Sequence, residues 1–370
     1  MFWIVFILTG AYVLLVGMAT YLWNTKFATD KKLQLITTRP AFTLLIPFRN
    51  EGSNLPYLLK DLQAQSLDNQ FWNCLFVNDH SEDQSVPILE ALLQPNQKLI
   101  HSQGHGKKAA ITSGLHLIQT NYIVQTDADC RVGPHWLTSI YQVLIHHPSA
   151  FLTGPVAIHK PRTTLDHFQA MDLMALMGMT SAGLKTKWWA MANGANMAYP
   201  TQLLKHTNHS GTGHQFASGD DMFLVEAAGK ATQDPILFHA DPRAIVTTDA
   251  CADIPSFIKQ RIRWGSKNKA MRDPGIKIAL AIPFCFNLML GFITFVMLFN
   301  SSLLPIGGIV WIIKFGIDFM YLYRLAPFFQ YQLNAYPFMV SSLIYPFYLS
   351  YLAILSIFKP QYEWKGRITQ

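Results

Sequence analysis

The sequence predicts an α/β domain, Rossmann-like with a mostly parallel sheet, carried between N-terminal and C-terminal membrane-spanning helices. Three observations predict it. Short apolar runs alternate with helical patterns across residues 40–275. Residues 1–23 hold no charged side chain, and residues 278–358 hold only Lys314, Asp318 and Arg324. The whole chain of 370 residues is 50% hydrophobic and only 14% charged, where a soluble domain carries roughly 25%. With a mean hydropathy of +0.18 it is too apolar to be wholly soluble. An aromatic content of 13% is enough to build a core, which excludes a disordered chain.

The alternation can be read element by element. Thr43–Pro47 reads as a strand and Asn54–Ala64 as a helix, then Asn73–Val77 as a strand and Ser85–Leu93 as a helix. Lys98–His101 and Tyr122–Thr126 are further strands, each followed by a helical pattern, Lys107–Gln119 and Pro134–His146. Proline in a first turn suits the second of these helices, because a missing N–H costs nothing there. A repeated strand–helix rhythm means a parallel sheet covered on both faces. Ligands in such sheets bind beyond the carboxyl ends of the strands.

The flanks read as membrane segments. Phe2–Trp23 is about long enough to cross a hydrocarbon core, which takes roughly 20 residues. Its start is uncharged and no small-residue cleavage site follows, so it reads as a retained anchor rather than a signal peptide. Lys26, Lys31, Lys32 and Arg39 come next, which places the following domain in the cytoplasm by the positive-inside rule. Ile278–Phe299, Leu303–Tyr323 and Ala335–Phe358 are candidate spans. Lys314 and Asp318 are four residues apart inside the second of these, so they share a helix face and read as a buried ion pair. Three such spans would leave the basic tail (Lys359, Lys365, Arg367) outside, against the same rule, so two spans remain an alternative. The expected organisation is an anchor over 1–24, a cytoplasmic domain over 25–275, a membrane block over 276–358 and a basic tail over 359–370. The cysteines Cys74, Cys130, Cys251 and Cys285 form no CxxC pair, which fits reduced thiols. A net charge of +7 suits anionic partners such as membrane phospholipid or a nucleotide and gives no pointer to nucleic acid.

The chemistry-bearing residues follow the strands. The first strand runs into Pro47, Arg49 and Glu51, the second into Asp79, the third toward Gly106 and Lys107, and the fourth into Asp127-Ala128-Asp129. Two carboxylates in a turn at a strand end suit a hard divalent cation shared with substrate phosphates. Gly106-Lys107 lacks the Walker spacing, so Lys107 reads as a single cation at a helix start. Asn193-Gly194 lets a backbone approach a sugar closely. Asp220 and Asp221 open an apolar helix, where acids also serve as plain caps. Gln260, Arg263 and Trp264 lie on a basic helical stretch that would also suit a membrane surface. His206, His209 and His214 sit among Gly, Ser, Thr and Asn and read as a loop rather than a metal cluster.

Taken in order, PFRNE, VNDHS, GKKAA, TDADC, NGANMAY, SGDD and QRIRW resemble the family 2 inverting glycosyltransferases of GT-A fold. The resemblance covers roughly residues 40–270. The last motif matches the QxxRW pattern of membrane-embedded members, such as polysaccharide synthases and ceramide glucosyltransferases. The resemblance implies that Pro47, Arg49, Glu51 and Asp79 line the nucleotide base and ribose, with Lys107 helping at the phosphates. Asp127 and Asp129 would hold the nucleotide-sugar through Mg²⁺ or Mn²⁺, Asp129 as the closer ligand. Asp221 would be the general base, with Asp220 as the alternative because Asp-Asp stands where Glu-Asp is usual. Asn193, Gly194, Gln260, Arg263 and Trp264 would serve the acceptor and diphosphate. The implied reaction moves a sugar, from UDP by family default, to a lipid or lipid-linked acceptor at the cytoplasmic membrane. A processive polysaccharide synthase is the alternative, and a transporter or scaffold with a vestigial transferase domain is the rival of another class.

Overall fold

The structure, a computed structural model, describes residues 2–23, 41–203, 220–231, 235–266, 273–358, 362–364 and 367–369. The chain divides into two compact units. One comprises residues 26–159, 190–249 and 363–370, and the other residues 1–25, 160–189 and 250–362.

The first of these units is an α/β layer built on a seven-stranded sheet. Its strands are β1 (Phe42–Phe48), β2 (Trp72–Asn78), β3 (Gln97–His101), β4 (Tyr122–Gln125), β6 (Phe151–Thr153), β8 (Met197–Pro200) and β9 (Ile236–Phe238). Their order is β3-β2-β1-β4-β8-β6-β9. β1 runs parallel to β2 on one side and to β4 on the other, while β8 is antiparallel to both β4 and β6. Every residue of β1 is buried, which is why, Thr43 apart, it reads as an apolar run rather than an alternating one. Pro47 is tolerated in this central strand because the ladder to β4 stops at Leu45. A smaller sheet pairs β10 (Val246–Thr248) with β5 (Cys130–Val132) and β7 (Val156–Ile158).

Helices cover the sheet: α2 (Leu55–Gln63), α3 (Ser85–Leu92), α4 (Lys107–Leu115), α5 (Trp136–His146) and α7 (Asp220–Ala231). Leu45, Leu75, Val77 and Ile123 of the sheet pack with Ala110 and Ile111 of α4 and Val225 and Ala228 of α7. Gly114 lets α4 lie close, since a Cβ there would run into Leu45. Each large apolar side chain buried this way stabilises the fold by about 1.5–3 kcal/mol.

Two helix ends differ from the sequence reading. α4 stops at Leu115 rather than near Gln119, because Leu117 and Ile118 N–H turn back onto Gly114 and Leu115 carbonyls. α5 begins at Trp136, leaving Pro134 ahead of the helix instead of in its first turn. The Pro134 carbonyl is taken by Ser66 N–H and the Gly133 carbonyl by Trp136 N–H, which fixes the chain there as a turn.

The other unit is helical: α1 (Phe2–Leu22), α6 (Thr164–Thr186), α8 (Ile254–Ser266), α9 (Pro274–Met297), α10 (Leu304–Leu325) and α11 (Ala335–Phe358). Thr163 and Asp166 cap α6 reciprocally, at 3.1 and 3.0 Å. By length and composition, three described helices could cross a membrane, spanning Phe2–Leu22, Pro274–Met297 and Ser301–Leu325. The Lys314–Asp318 pair forms as the spacing suggests, at 2.6 Å with Lys314 fully buried. Tyr12 of α1 adds a third member, donating to Asp318 at 2.6 Å while its ring stacks on Phe286. All four cysteines are free thiols.

Candidate active site

The carboxyl ends of β1, β2 and β4 lie side by side because their ladders are in register. Sheet order reverses between β1 and β4, and crevices open at such switch points. The residues that follow these strands carry the site.

Beyond β1, Arg49 and Glu51 are buried, unusual for charged side chains. Arg49 donates to Glu82 at 3.1 Å. Glu51 accepts from Asn54 Nδ2 at 2.6 Å, and its N–H donates to Ser85 Oγ at 2.7 Å. Asn50 between them is left-handed (φ 52°), a conformation that asparagine accepts more readily than most residues. Its Oδ1 takes Glu82 N–H at 2.8 Å, which ties this turn to the one after β2.

Beyond β2, Asp79 is 1% exposed. Its N–H donates to the Phe48 carbonyl at 2.8 Å, and its Oδ1 accepts Gly106 N–H at 2.9 Å. Asp79 therefore joins the ends of β1 and β2 to the start of α4. Gly106 has φ 91°, open to glycine and strained for an L side chain.

Beyond β4, Asp127, Ala128 and Asp129 form a tight turn closed by Cys130 N–H on the Asp127 carbonyl at 3.2 Å. Asp127 is half-buried and Asp129 exposed. Lys107, the first residue of α4, reaches across to Asp127 Oδ1 at 2.5 Å. Burial pushes the Cys130 thiol up, and the neighbouring Asp129 and Asp127 push it further, so it is no thiolate nucleophile.

The segment before β8 completes the constellation. Asp221 takes Gly194 N–H on Oδ2 at 3.1 Å and Met222 N–H on Oδ1 at 2.9 Å. A Cβ on Gly194 would lie 3.6 Å from Asp221 Oδ2 and 3.7 Å from Lys107 Nζ. Lys107, Asp127, Gly194 and Asp221 therefore meet at one place, though 114 positions separate Lys107 from Asp221 in the chain (221 minus 107). Asp220 opens α7, and Ser218 and Gly219 lie outside the described residues, as do His206, His209 and His214. Asn193 accepts Ala195 N–H on Oδ1 at 3.0 Å, which shapes the Gly194 turn.

Asn196 is the residue that motif reading passes over. It is buried, and its Nδ2 donates to the Pro155 and Ala244 carbonyls, each at 2.8 Å. Its Oδ1 accepts Trp136 Nε1–H at 3.2 Å, and its carbonyl accepts Gly154 N–H at 2.7 Å. It pins the Gly194 turn to three other segments. Its sequence signal is the second amide of NGANMAY, to which the motif reading gives no role.

Gln260, Arg263 and Trp264 belong to the helical unit, on α8. Arg261 organises that helix: it pairs with Asp172 of α6 at 2.9 Å, and its guanidinium lies 4.2 Å from the Trp264 ring centroid.

The donor set fits a hard divalent ion. Asp127 and Asp129 offer carboxylate oxygens, and Asp127 already draws the Lys107 ammonium to it.

Comparisons with known proteins bear on the family and the fold. Residues 43–207, somewhat less than half of the chain, match the family model described as glycosyl transferase family 2. The uncharacterized glycosyltransferase YkcC of Bacillus subtilis is 33% identical over 107 residues, 27% of this chain and 32% of that protein. The 4,4'-diaponeurosporenoate glycosyltransferase of Staphylococcus haemolyticus is 26% identical over 214 residues, 55% of this chain and 54% of that protein. The chain thus spans about half the length, or less, of these curated relatives. Among solved structures, the mannosyltransferase PcManGT of Pyrobaculum calidifontis, in complex with GDP-Man and Mn²⁺, superposes with a TM-score of 0.59 at 18% identity. That likeness covers 96% of this chain and 98% of the other, and establishes a GT-A-like fold.

Proposed function

We propose that this chain is a membrane-bound inverting glycosyltransferase that moves a sugar from a nucleotide-sugar, of UDP type, to a lipid or lipid-linked acceptor. The observation that carries the reading is the meeting of Lys107, Asp127, Gly194 and Asp221 beside the carboxyl ends of β1 and β4. Asp79, Arg49 and Glu51 give the nucleoside a polar, largely dry wall, with Pro47 beside it. Asp127 and Asp129 would hold Mg²⁺ or Mn²⁺, which would supply positive charge for the diphosphate that leaves. Lys107 supplies a second positive charge at the same place.

Asp221 is the general base. Gly194 and Met222 N–H groups hold its carboxylate in a fixed orientation, in which it takes the acceptor hydroxyl proton. Loss of that proton lets the oxygen attack the anomeric carbon in one displacement, so an α-linked donor gives a β-linked product. Gln260, Arg263 and Trp264 serve the acceptor and the diphosphate, the indole offering a face for a sugar ring. The apolar helices support a lipid acceptor, as does the curated relative named for diaponeurosporenoate. The catalytic domain then lies on the cytoplasmic side of the inner membrane, held by anionic lipid as well as by its spans.

The test is transfer of labelled sugar from a panel of UDP-, GDP- and dTDP-sugars in membranes supplied with host lipid extract. The expected result is label entering the organic phase from one donor, with Mg²⁺ or Mn²⁺ required. Label staying in solution while nucleotide is released would sink the lipid acceptor. No turnover and no donor binding would sink the enzyme reading.

A further inference from the structure

The turns after β2 and β3 bring together three groups that the nucleotide-sugar chemistry leaves only partly used. Asp79, His80 and His105 each present a ligating atom, and these atoms lie within 4.8 Å of one another. The two imidazoles face each other with centroids 4.2 Å apart and planes tilted by 39°. His80 Nδ1 stands 3.4 Å from Asp79 Oδ1. Ligands bound to one tetrahedral zinc at roughly 2.0–2.1 Å are about 3.3 Å apart, so this edge has the required length before any metal arrives. The remaining edges are no longer than 4.8 Å, and both imidazoles are exposed side chains.

The backbone holds this arrangement at a cost. His80 is left-handed, with φ 55°, uncommon for a residue that is not glycine. Gly106 N–H donates to Asp79 Oδ1 at 2.9 Å, orienting the carboxylate as an outer partner orients a metal ligand. His105 stands immediately before that glycine, so the bond that fixes the carboxylate also fixes the second histidine's backbone.

We propose that Asp79, His80 and His105 form a three-ligand site for a borderline-soft divalent ion of the Zn²⁺ class. Two imidazole nitrogens and one carboxylate oxygen are ligands for zinc or cobalt, whereas Asp127 and Asp129 offer oxygen alone and suit Mg²⁺ or Mn²⁺. The two sites thus select different metals in one domain. Three protein ligands leave a fourth position to water, the pattern of an open site. The consequence for turnover rests on the proposed function, where the Asp79 carboxylate faces the nucleoside. An ion that takes this carboxylate denies it to the donor, so Zn²⁺ inhibits while Mn²⁺ or Mg²⁺ supports.

The probe is Co²⁺, whose visible absorption reports tetrahedral coordination, added to the full chain in detergent. His206, His209 and His214 are replaced by Gln throughout to remove that cluster of imidazoles. The expected result is a tetrahedral band that saturates at one Co²⁺ per chain and is displaced by Zn²⁺. His105→Ala and His80→Ala each weaken binding roughly ten-fold or more, and Asp129→Ala leaves the band unchanged. Both histidines are exposed, and unchanged melting temperatures verify that the variants fold. A band that survives His105→Ala and His80→Ala, or no band at all, overturns the site. In a second arm, Zn²⁺ blocks donor binding to the parent protein but not to His105→Ala. Equal sensitivity of both would overturn the inhibitory role. A protein that shows the band but binds no donor would count against the glycosyltransferase reading and leave the metal site standing.

Discussion

The Lys107 ammonium lies 2.5 Å from Asp127 Oδ1, joining the first turn of α4 to the turn after β4. The pair is about one quarter to one third exposed, open enough for a ligand to reach and closed enough for charge to matter. In the proposed reaction the same lysine meets the developing charge on the leaving diphosphate. Lys107→Ala is expected to lower kcat/KM by roughly 10²-fold, in the range for loss of one electrostatic contact to a transition state. Lys107→Arg should restore part of it. Steady-state kinetics on both variants check this, and an undiminished Lys107→Ala would remove the lysine from the chemistry.

Asn196 carries the scaffold of the Gly194 turn. Removing its side chain takes this partner from the Ala244 carbonyl and Trp136 Nε1, while the Pro155 carbonyl keeps Val246 N–H. Asn196→Ala should cost about 2 kcal/mol or more, since each buried group left unsatisfied costs about 1–3 kcal/mol. Gly154→Ala should also destabilise, because its Cβ would collide with the Asn196 side chain. Thermal unfolding followed by intrinsic fluorescence measures both, and melting temperatures equal to the parent's would contradict the assignment.

Lys314 and Asp318 separate a structural from a transport role. Breaking the pair with Lys314→Ala leaves the half-buried Asp318 with Tyr12 but without its cation, and is expected to cost about 3 kcal/mol. Replacing the whole group (Lys314→Met, Asp318→Leu and Tyr12→Phe) should recover stability and keep transfer activity. A stable triple variant that has lost transfer would instead place the pair on a substrate path.

His239 makes the α/β unit sensitive to acid. Burial lowers its pKa from 6.5 to about 4, against an opposing pull from Asp241. The unfolded chain therefore takes up this proton below pH 6.5, while the folded chain resists it down to about pH 4. Stability falls with falling pH across that window, and this group's contribution to the loss ends near its lower edge. Asp241 acts in the same direction: burial raises its pKa, but hydrogen bonds from Arg243 outweigh this and hold it low. Melting temperatures from pH 7 to pH 4 should show a shallower slope for His239→Gln than for the parent. An unchanged slope would mean that His239 is not the sensor.

The α/β alternation was legible because β1, β2 and β4 are buried strands with polar residues at once beyond their ends. Asp127 and Asp129 stood out for that reason, and Lys314–Asp318 followed from helical spacing alone. What stayed hidden depends on pairings across the chain. Nothing local tells that Lys107 meets Asp127, or that Gly194 N–H reaches Asp221, because each contact is set by how strands stack. Tyr12 completes the Lys314–Asp318 group from a helix about three hundred residues away, beyond any periodicity. Arg261, inside QRIRW, lies buried against the Phe257 and Trp264 rings, which a basic helical stretch alone does not reveal. The short strands β6, β8 and β9 left little signal, since three or four residues hold too few alternations to read.

The measurement that tests the central claim most directly is Asp221→Asn, assayed for both donor binding and transfer in the same membranes. Asparagine keeps the shape and can still accept Gly194 N–H, but it takes no proton from the acceptor. The account predicts transfer reduced by roughly 10²–10⁴-fold with donor affinity within a few-fold of the parent. Transfer at the parent's rate would contradict it, and would return the general base to Asp220 or to a group outside this constellation.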